Sequence, residues 1–260
     1  MEVIIQPSPG DCAATGARII GQLLKGKTEA VLGLATGSTP LPLYRELITM
    51  NQRGELDFST VTSFNLDEYI GLQGDHPCSY RYFMEQELFK DINIEAERTH
   101  VPDGLAVDVS DHCRAYEQAI RDCGGIDLQI LGLGTDGHIG FNEPGSSLGS
   151  RTRIKTLTGK TCEDNARFFE SIEEVPRHCI TMGVATIMEC RQILLFAFGE
   201  AKAEIIAKAI EGPVSAMVPA SVLQMHPEVK ILIDDAAASC LEHADYYKEV
   251  FAGKPSWQCF

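Results

Sequence analysis

Short apolar runs alternate along the chain with longer stretches whose apolar positions recur every three or four residues. The runs at 30–34 (AVLGL), 61–66 (VTSFNL), 126–133, 192–198 and 229–233 read as buried strands. The intervening periodicity predicts a helix from Ser8 or Asp11, either of which can cap it, to about Gly26. Further helices are predicted from Pro40 to about Gln52 and over 79–89, 110–122, 201–211 and 236–250, with Pro40 suited to a first helical turn. Strands alternating with helices are the signature of a doubly wound, mostly parallel α/β sheet with helices on both faces, a Rossmann-like fold. With no repeats, low-complexity tracts or proline-rich linkers, residues 1–260 read as a single domain. Periodicity weakens over 159–177, which reads as a mobile flap or lid.

In open sheets of this kind, ligands bind beyond the carboxyl ends of the strands. Three loops leave predicted strands at that edge: ATGSTP at 35–40, DEYIG at 67–71 and GTDGHIGFNE at 134–143. They are expected to share one pocket. In the first loop, Thr36, Gly37, Ser38 and Thr39 offer hydroxyls, N–H groups and a permissive turn just before a helix whose positive dipole end faces them. That is an anion site. No Gly-Lys-Ser/Thr follows, so the anion is expected to be a sugar phosphate rather than a nucleoside triphosphate. In the second loop the adjacent carboxylates Asp67 and Glu68 point to different sides of an extended chain. One can therefore reach the pocket while the other pairs outside it. Asp67 is a candidate general base if desolvation keeps it basic enough.

The third loop satisfies GxGxxG through Gly132, Gly134 and Gly137. A dinucleotide reading needs a helix opening at the last glycine, yet His-Ile-Gly-Phe-Asn-Glu-Pro follows, with Gly140 and Pro144 hostile to one. NAD binding is therefore rejected. Asp136, His138 and Glu143 remain within eight residues. Either carboxylate can orient the imidazole and stabilise its protonated form, making His138 a proton carrier. The three make a poor metal set, oxygen-rich and without a clear partner set.

Charge sharpens the picture. The chain carries 37 acidic and 22 basic residues, a formal net charge of −15. That balance argues against nucleic acid and anionic membrane as partners and requires any phosphate site to be a local positive island. Between 144 and 162 stand Arg151, Arg153, Lys155 and Lys160 with no acid, a candidate second anion site. Arg167 and Lys202 are isolated cations within reach of a phosphate. The nine cysteines are odd in number and never in a CxxC pair, which fits reduced thiols in a cytosolic chain. No apolar run approaches a membrane span, and MEVIIQPSPGD lacks the features of a secretory signal. A cytoplasmic location is expected.

The blocks LGLATGSTPLPLY, SFNLDEYIGL, HPCSYRYFM and LGTDGHIGFNEPGSSLGSRTRIKTLT carry a resemblance to the glucosamine-6-phosphate deaminase family, the glucosamine/galactosamine-6-phosphate isomerases, over nearly the whole length. The resemblance implies conversion of glucosamine 6-phosphate and water to fructose 6-phosphate and ammonium in amino-sugar breakdown, without a cofactor. It makes Asp67 the base moving a proton between C2 and C1, and His138 the ring-opening acid/base, with Asp136 and Glu143 completing its relay. It assigns Ser38, Thr39, Arg167 and Lys202 to the substrate phosphate. It also matches Ser146, Arg153, Lys155 and Thr156 to a site where N-acetylglucosamine 6-phosphate activates some members, between subunits of a homo-oligomer that can be a hexamer. Two other readings compete: a 6-phosphogluconolactonase-like enzyme on the same fold, and a non-catalytic sugar-phosphate sensor. Intact DEY and NEPGSS motifs oppose the first. The complete set Asp67, Asp136, His138 and Glu143 opposes the second.

Overall fold

The computed structural model describes residues 1–159, 161, 163, 169, 171–255 and 258. Its main sheet has seven parallel strands: β1 (Glu2–Gln6), β2 (Val31–Leu34), β3 (Thr62–Asn65), β5 (Thr99–His100), β6 (Leu128–Gly132), β9 (Gln192–Ala197) and β10 (Val229–Asp234), in the order β1-β10-β9-β6-β2-β3-β5. The central strands β2 and β6 are almost wholly apolar and buried, as a sheet covered on both faces requires. Strands β2, β3 and β5 step toward one edge and β6, β9 and β10 toward the other. The reversal opens a crevice between the carboxyl ends of β2 and β6, the expected ligand position.

The helices around this sheet are α1 (Pro9–Gly26), α2 (Leu41–Gln52), α3 (Tyr80–Glu87), α4 (Val109–Asp122), α5 (Val184–Met188), α6 (Ala203–Ile210) and α7 (Ala244–Ala252). Local chemistry sets their starts. Ser8, Ser79 and Asp108 each accept an N–H from three residues further on, at 3.2, 3.0 and 2.8 Å, opening α1, α3 and α4. Helix α2 differs. Its N-cap is Pro40, which offers no side-chain acceptor, so the first-turn amides stay open at loop 36–39.

A second sheet was not legible in the sequence. Strands β4 (Asp67–Tyr69), β7 (Arg153–Thr156) and β8 (His178–Thr181) form an antiparallel three-stranded sheet in the order β4-β8-β7. Each has only three or four residues, and β7 (RIKT) lies at the surface with Ile154 51% exposed, so no apolar run announces it. Beside this sheet Tyr69, Phe141, Leu157, Val175 and Cys179 form a small core of their own. The chain passes from main to second sheet across Leu66 alone, so Asp67 and Glu68, expected in a loop, stand on a strand.

Two further expectations are corrected. The helix predicted over 236–250 begins only at Ala244, after a series of turns. Asp234 accepts the Ala237 N–H at 2.9 Å, and the Glu211 carboxylate accepts the Glu242 and His243 N–H groups at 2.8 and 3.0 Å. These side-chain acceptors compete with helical bonding there. The helix predicted over 201–211 is a 3₁₀ turn, Glu200–Lys202, followed by α6. In the segment read as a flap, residues 160, 162, 164–168 and 170 lie outside the described residues. Among the described residues no helix is long and apolar enough to cross a membrane.

Candidate active site

A cavity of about 500 Å³ opens at the crevice, lined by Thr36, Gly37, Ser38, Thr39, Asp67, His138 and Lys202 among others. The three loops therefore do converge. The sequence reading also put Asp136 and Glu143 in the site; both stand behind the lining, one touching His138 and the other turned away from it.

Asp67 is 6% exposed and lines the cavity, whereas Glu68, 2% exposed, turns the other way. Glu68 accepts three backbone N–H groups, from Tyr69 at 2.8 Å and from Tyr80 and Arg81 at 2.9 Å each, and so ties β4 to the start of α3. Burial, and after it the neighbouring Glu68 charge, pushes the Asp67 carboxyl up to about 8. Burial also raises Glu68, against the pull of its three N–H donors.

No helix follows Gly137. Residues 138–150 run as turns with one isolated bridge, Ile139 to Asn142, which removes the dinucleotide reading on geometry. Asp136 Oδ1 accepts the His138 backbone N–H at 3.1 Å and stands 2.6 Å from Nδ1 of the same residue. Burial alone would raise Asp136, but the hydrogen bond and charge of His138 outweigh it and hold the carboxyl at about 2. An ionised carboxylate on Nδ1 fixes that nitrogen as the protonated one and leaves Nε2 for exchange. The loop demands glycine at two places. A Cβ at Gly134 would lie 2.2 Å from the imidazole, and Gly140 has φ +55 with its missing Cβ 3.4 Å from Asp67 Oδ2. Glu143 is buried, yet its hydrogen bonds run to the Thr158 N–H and hydroxyl, at 3.1 and 3.2 Å, and to the Thr161 hydroxyl, not to His138. The Asp136–His138 pair is present in the structure; the three-member relay is not.

Loop 36–39 sits at the open end of α2, with Ser38 exposed. Lys202 reaches across from β9's exit and donates from Nζ to the Leu133 carbonyl at 2.7 Å. Arg167 and Lys160 lie outside the described residues. The basic segment does not act as one island. Arg151 is bound to Glu117 at 2.6 Å and to Glu189 at 2.5 Å, because Glu117 is a buried hub that also accepts from Thr152 and Thr186. Arg153 and Lys155 share one face of β7; Thr156 is exposed on the other, and Ser146 is buried with its hydroxyl unpartnered among the described residues.

Sequence reasoning missed the aromatic wall. Tyr69, Tyr80, Phe141 and Phe169 line the cavity, with Tyr80 stacked on Phe141 at 6.0 Å between ring centroids. The blocks DEY, SYRYF and IGF held Tyr69, Tyr80 and Phe141, but only the second sheet places them together.

Residues 10–232 match the family described as glucosamine-6-phosphate isomerases/6-phosphogluconolactonase. The chain belongs to this family. It is 54% identical to the glucosamine-6-phosphate deaminase of Arthrobacter sp. (strain FB24), over 99% of each chain. Among solved structures, a monomeric glucosamine-6-phosphate deaminase superposes with a TM-score of 0.90 at 44% identity, covering 92% of this chain and all of that one. The 6-phosphogluconolactonase of Trypanosoma brucei shares the fold at 19% identity and a TM-score of 0.72, over 92% of this chain and 97% of its own. The family members nearest in sequence among these are thus deaminases, and the lactonase is a distant relative.

Proposed function

We propose that the protein converts glucosamine 6-phosphate and water to fructose 6-phosphate and ammonium, acting as one domain over residues 1–260 in the cytoplasm. The carrying observation is a buried carboxyl, Asp67, raised to about 8 in the cavity that also holds His138 and the open end of α2. A group titrating near neutrality can take a proton and give it back, as an aldose–ketose isomerisation requires.

The substrate phosphate is held by Thr36, Gly37, Ser38 and Thr39 with the α2 amides, assisted by Lys202 and by Arg167. His138, its Nδ1 engaged by Asp136, moves the O1 proton to the ring oxygen as the C1–O5 bond breaks. The aldehyde so formed makes the C2 proton acidic, which is why opening comes first. Asp67 takes that proton and returns it to C1 while a proton passes from the amino group to O1, leaving a C1 hydroxyl and an imine at C2. Water adds there, and ammonia leaves as ammonium. Glu143 completes the acid/base set, and its bonds to Thr158 and Thr161 fix the chain beyond the His138 loop. A finer part of the proposal is activation by N-acetylglucosamine 6-phosphate at Ser146, Arg153, Lys155 and Thr156 in a homo-oligomer. The buried Ser146 hydroxyl, without a partner among the described residues, and the two cations on one face of β7 support it.

A coupled assay on glucosamine 6-phosphate, with and without the N-acetylated sugar phosphate, tests both parts. Equal yields of fructose 6-phosphate and ammonium are expected, at a rate the effector increases. No ammonium release overturns the activity; an unchanged rate overturns the activation.

A further inference from the structure

Base and proton carrier sit on different supports, Asp67 on β4 and His138 on the loop after β6, and something must hold them in register. Thr181, the last residue of β8, stands opposite Asp67 in the antiparallel pairing and is fully buried. Its hydroxyl accepts the Phe141 N–H at 3.1 Å and donates to the Met182 carbonyl at 3.3 Å. The same carbonyl accepts Asn142 Nδ2 at 2.8 Å, and the Met182 N–H donates to the Leu66 carbonyl, just before Asp67, at 2.7 Å. Between them lies Gly140, whose missing Cβ would be 3.0 Å from Thr181 Oγ1 and 3.4 Å from Asp67 Oδ2.

We infer that Thr181 is a positioning residue: its hydroxyl locks the Gly140–Phe141 backbone of the His138 loop against the Asp67 carboxylate, fixing the separation of the two proton-transfer groups. Its placement in the reaction rests on the deaminase reading; the lock itself does not. Thr181→Val keeps the shape and β-branching of the side chain but leaves a buried Phe141 N–H without its acceptor. The loop then relaxes away from β4. The phosphate loop and Lys202 belong to the main sheet and stay in place. Catalysis is therefore hurt more than binding.

The test compares wild type, Thr181→Val and Thr181→Ser by steady-state kinetics on glucosamine 6-phosphate and by hydrogen exchange at the Phe141 amide. Thr181→Val is expected to lose about tenfold or more in kcat with KM within about threefold, since small misplacement of reacting groups is costly to the chemical step. Its Phe141 amide should exchange faster. Thr181→Ser keeps the acceptor and should resemble wild type in both measurements. A Thr181→Val kcat within about twofold of wild type overturns the inference, as does a Phe141 amide that stays equally protected. If Thr181→Val does not fold, Thr181→Ser decides alone, because a serine variant that loses tenfold assigns the residue to packing. Absence of ammonium release by wild type sinks the deaminase reading, and the exchange comparison still decides the lock.

Discussion

Replacing Asp67 by Asn should destroy turnover and strengthen the fold, and the size of the second effect follows from the site. In an unfolded chain the carboxyl titrates near 3.8; buried beside Glu68 it titrates at about 8. The folded state thus binds the proton more tightly, so stability is lost as pH rises from the lower value to the higher. Each pH unit in that window is worth about 1.4 kcal/mol. At pH 7, roughly three units above the unfolded value, the unfolded chain has released the proton that the fold still holds, which costs the wild type about 4 kcal/mol of stability that the neutral amide avoids. Urea unfolding of both proteins across the window measures the difference, groups that are not coupled to Asp67 cancelling. The advantage of Asp67→Asn should be small near pH 4, grow through pH 7 and level off above about 8. A difference that stays flat over that range would mean the carboxylate is not disfavoured by burial, and the argument for Asp67 as a near-neutral base would go with it. The same titration predicts kcat/KM rising with pH through about 8, since the base must be ionised to act.

Other outcomes test the rest of the site. His138→Gln should slow the closed-ring substrate far more than an analogue supplied in open form; equal losses on the two would contradict a ring-opening role. Gly134→Ala would drive a Cβ to 2.2 Å from the His138 ring; kcat should fall about 100-fold from the displaced imidazole, with the phosphate contacts and KM little changed. Asp234 accepts the Gly199 N–H at 2.9 and 3.1 Å and so anchors the turn that carries Lys202. Asp234→Asn should therefore raise KM several-fold, about what one weakened charge-assisted hydrogen bond costs, with kcat held. Michaelis constants and competition by inorganic phosphate would show it.

Five strands of the main sheet were legible because they are largely buried and read as short apolar runs, of which residues 193–198 are the clearest, whereas the edge strands β1 and β5 were not. Loops leaving such strands must share one edge, so the convergence of Thr36–Thr39, Asp67 and His138 followed from topology alone. The second sheet did not show, since Arg153–Thr156 alternates charge with an exposed isoleucine and three residues make no period. Its absence hid the aromatic wall and the place of Thr181. The pairing of Asp136 with His138 was readable because two residues apart in a glycine turn leaves them little choice. The hydrogen bonds of Glu143 were not readable for a related reason. Its partners Thr158 and Thr161 lie 15 and 18 residues away, a separation no local motif encodes. Arg151 likewise seemed free in sequence because Glu117, its partner, is 34 residues upstream.

Leu66 separates two pieces of architecture with different duties. The anchor for the phosphate grows from the large parallel sheet, whose strands are pinned by the central core, while the proton-transferring carboxylate rides on a small sheet with its own packing. Besides Leu66, the two meet at Tyr80, which stacks on Phe141 and bonds Thr36. Changes among Tyr69, Phe141 and Cys179 act first on the strand that carries the base and reach the phosphate loop through Tyr80. A scaffold divided in this way can keep one handle and exchange the chemistry performed at the other end of the substrate.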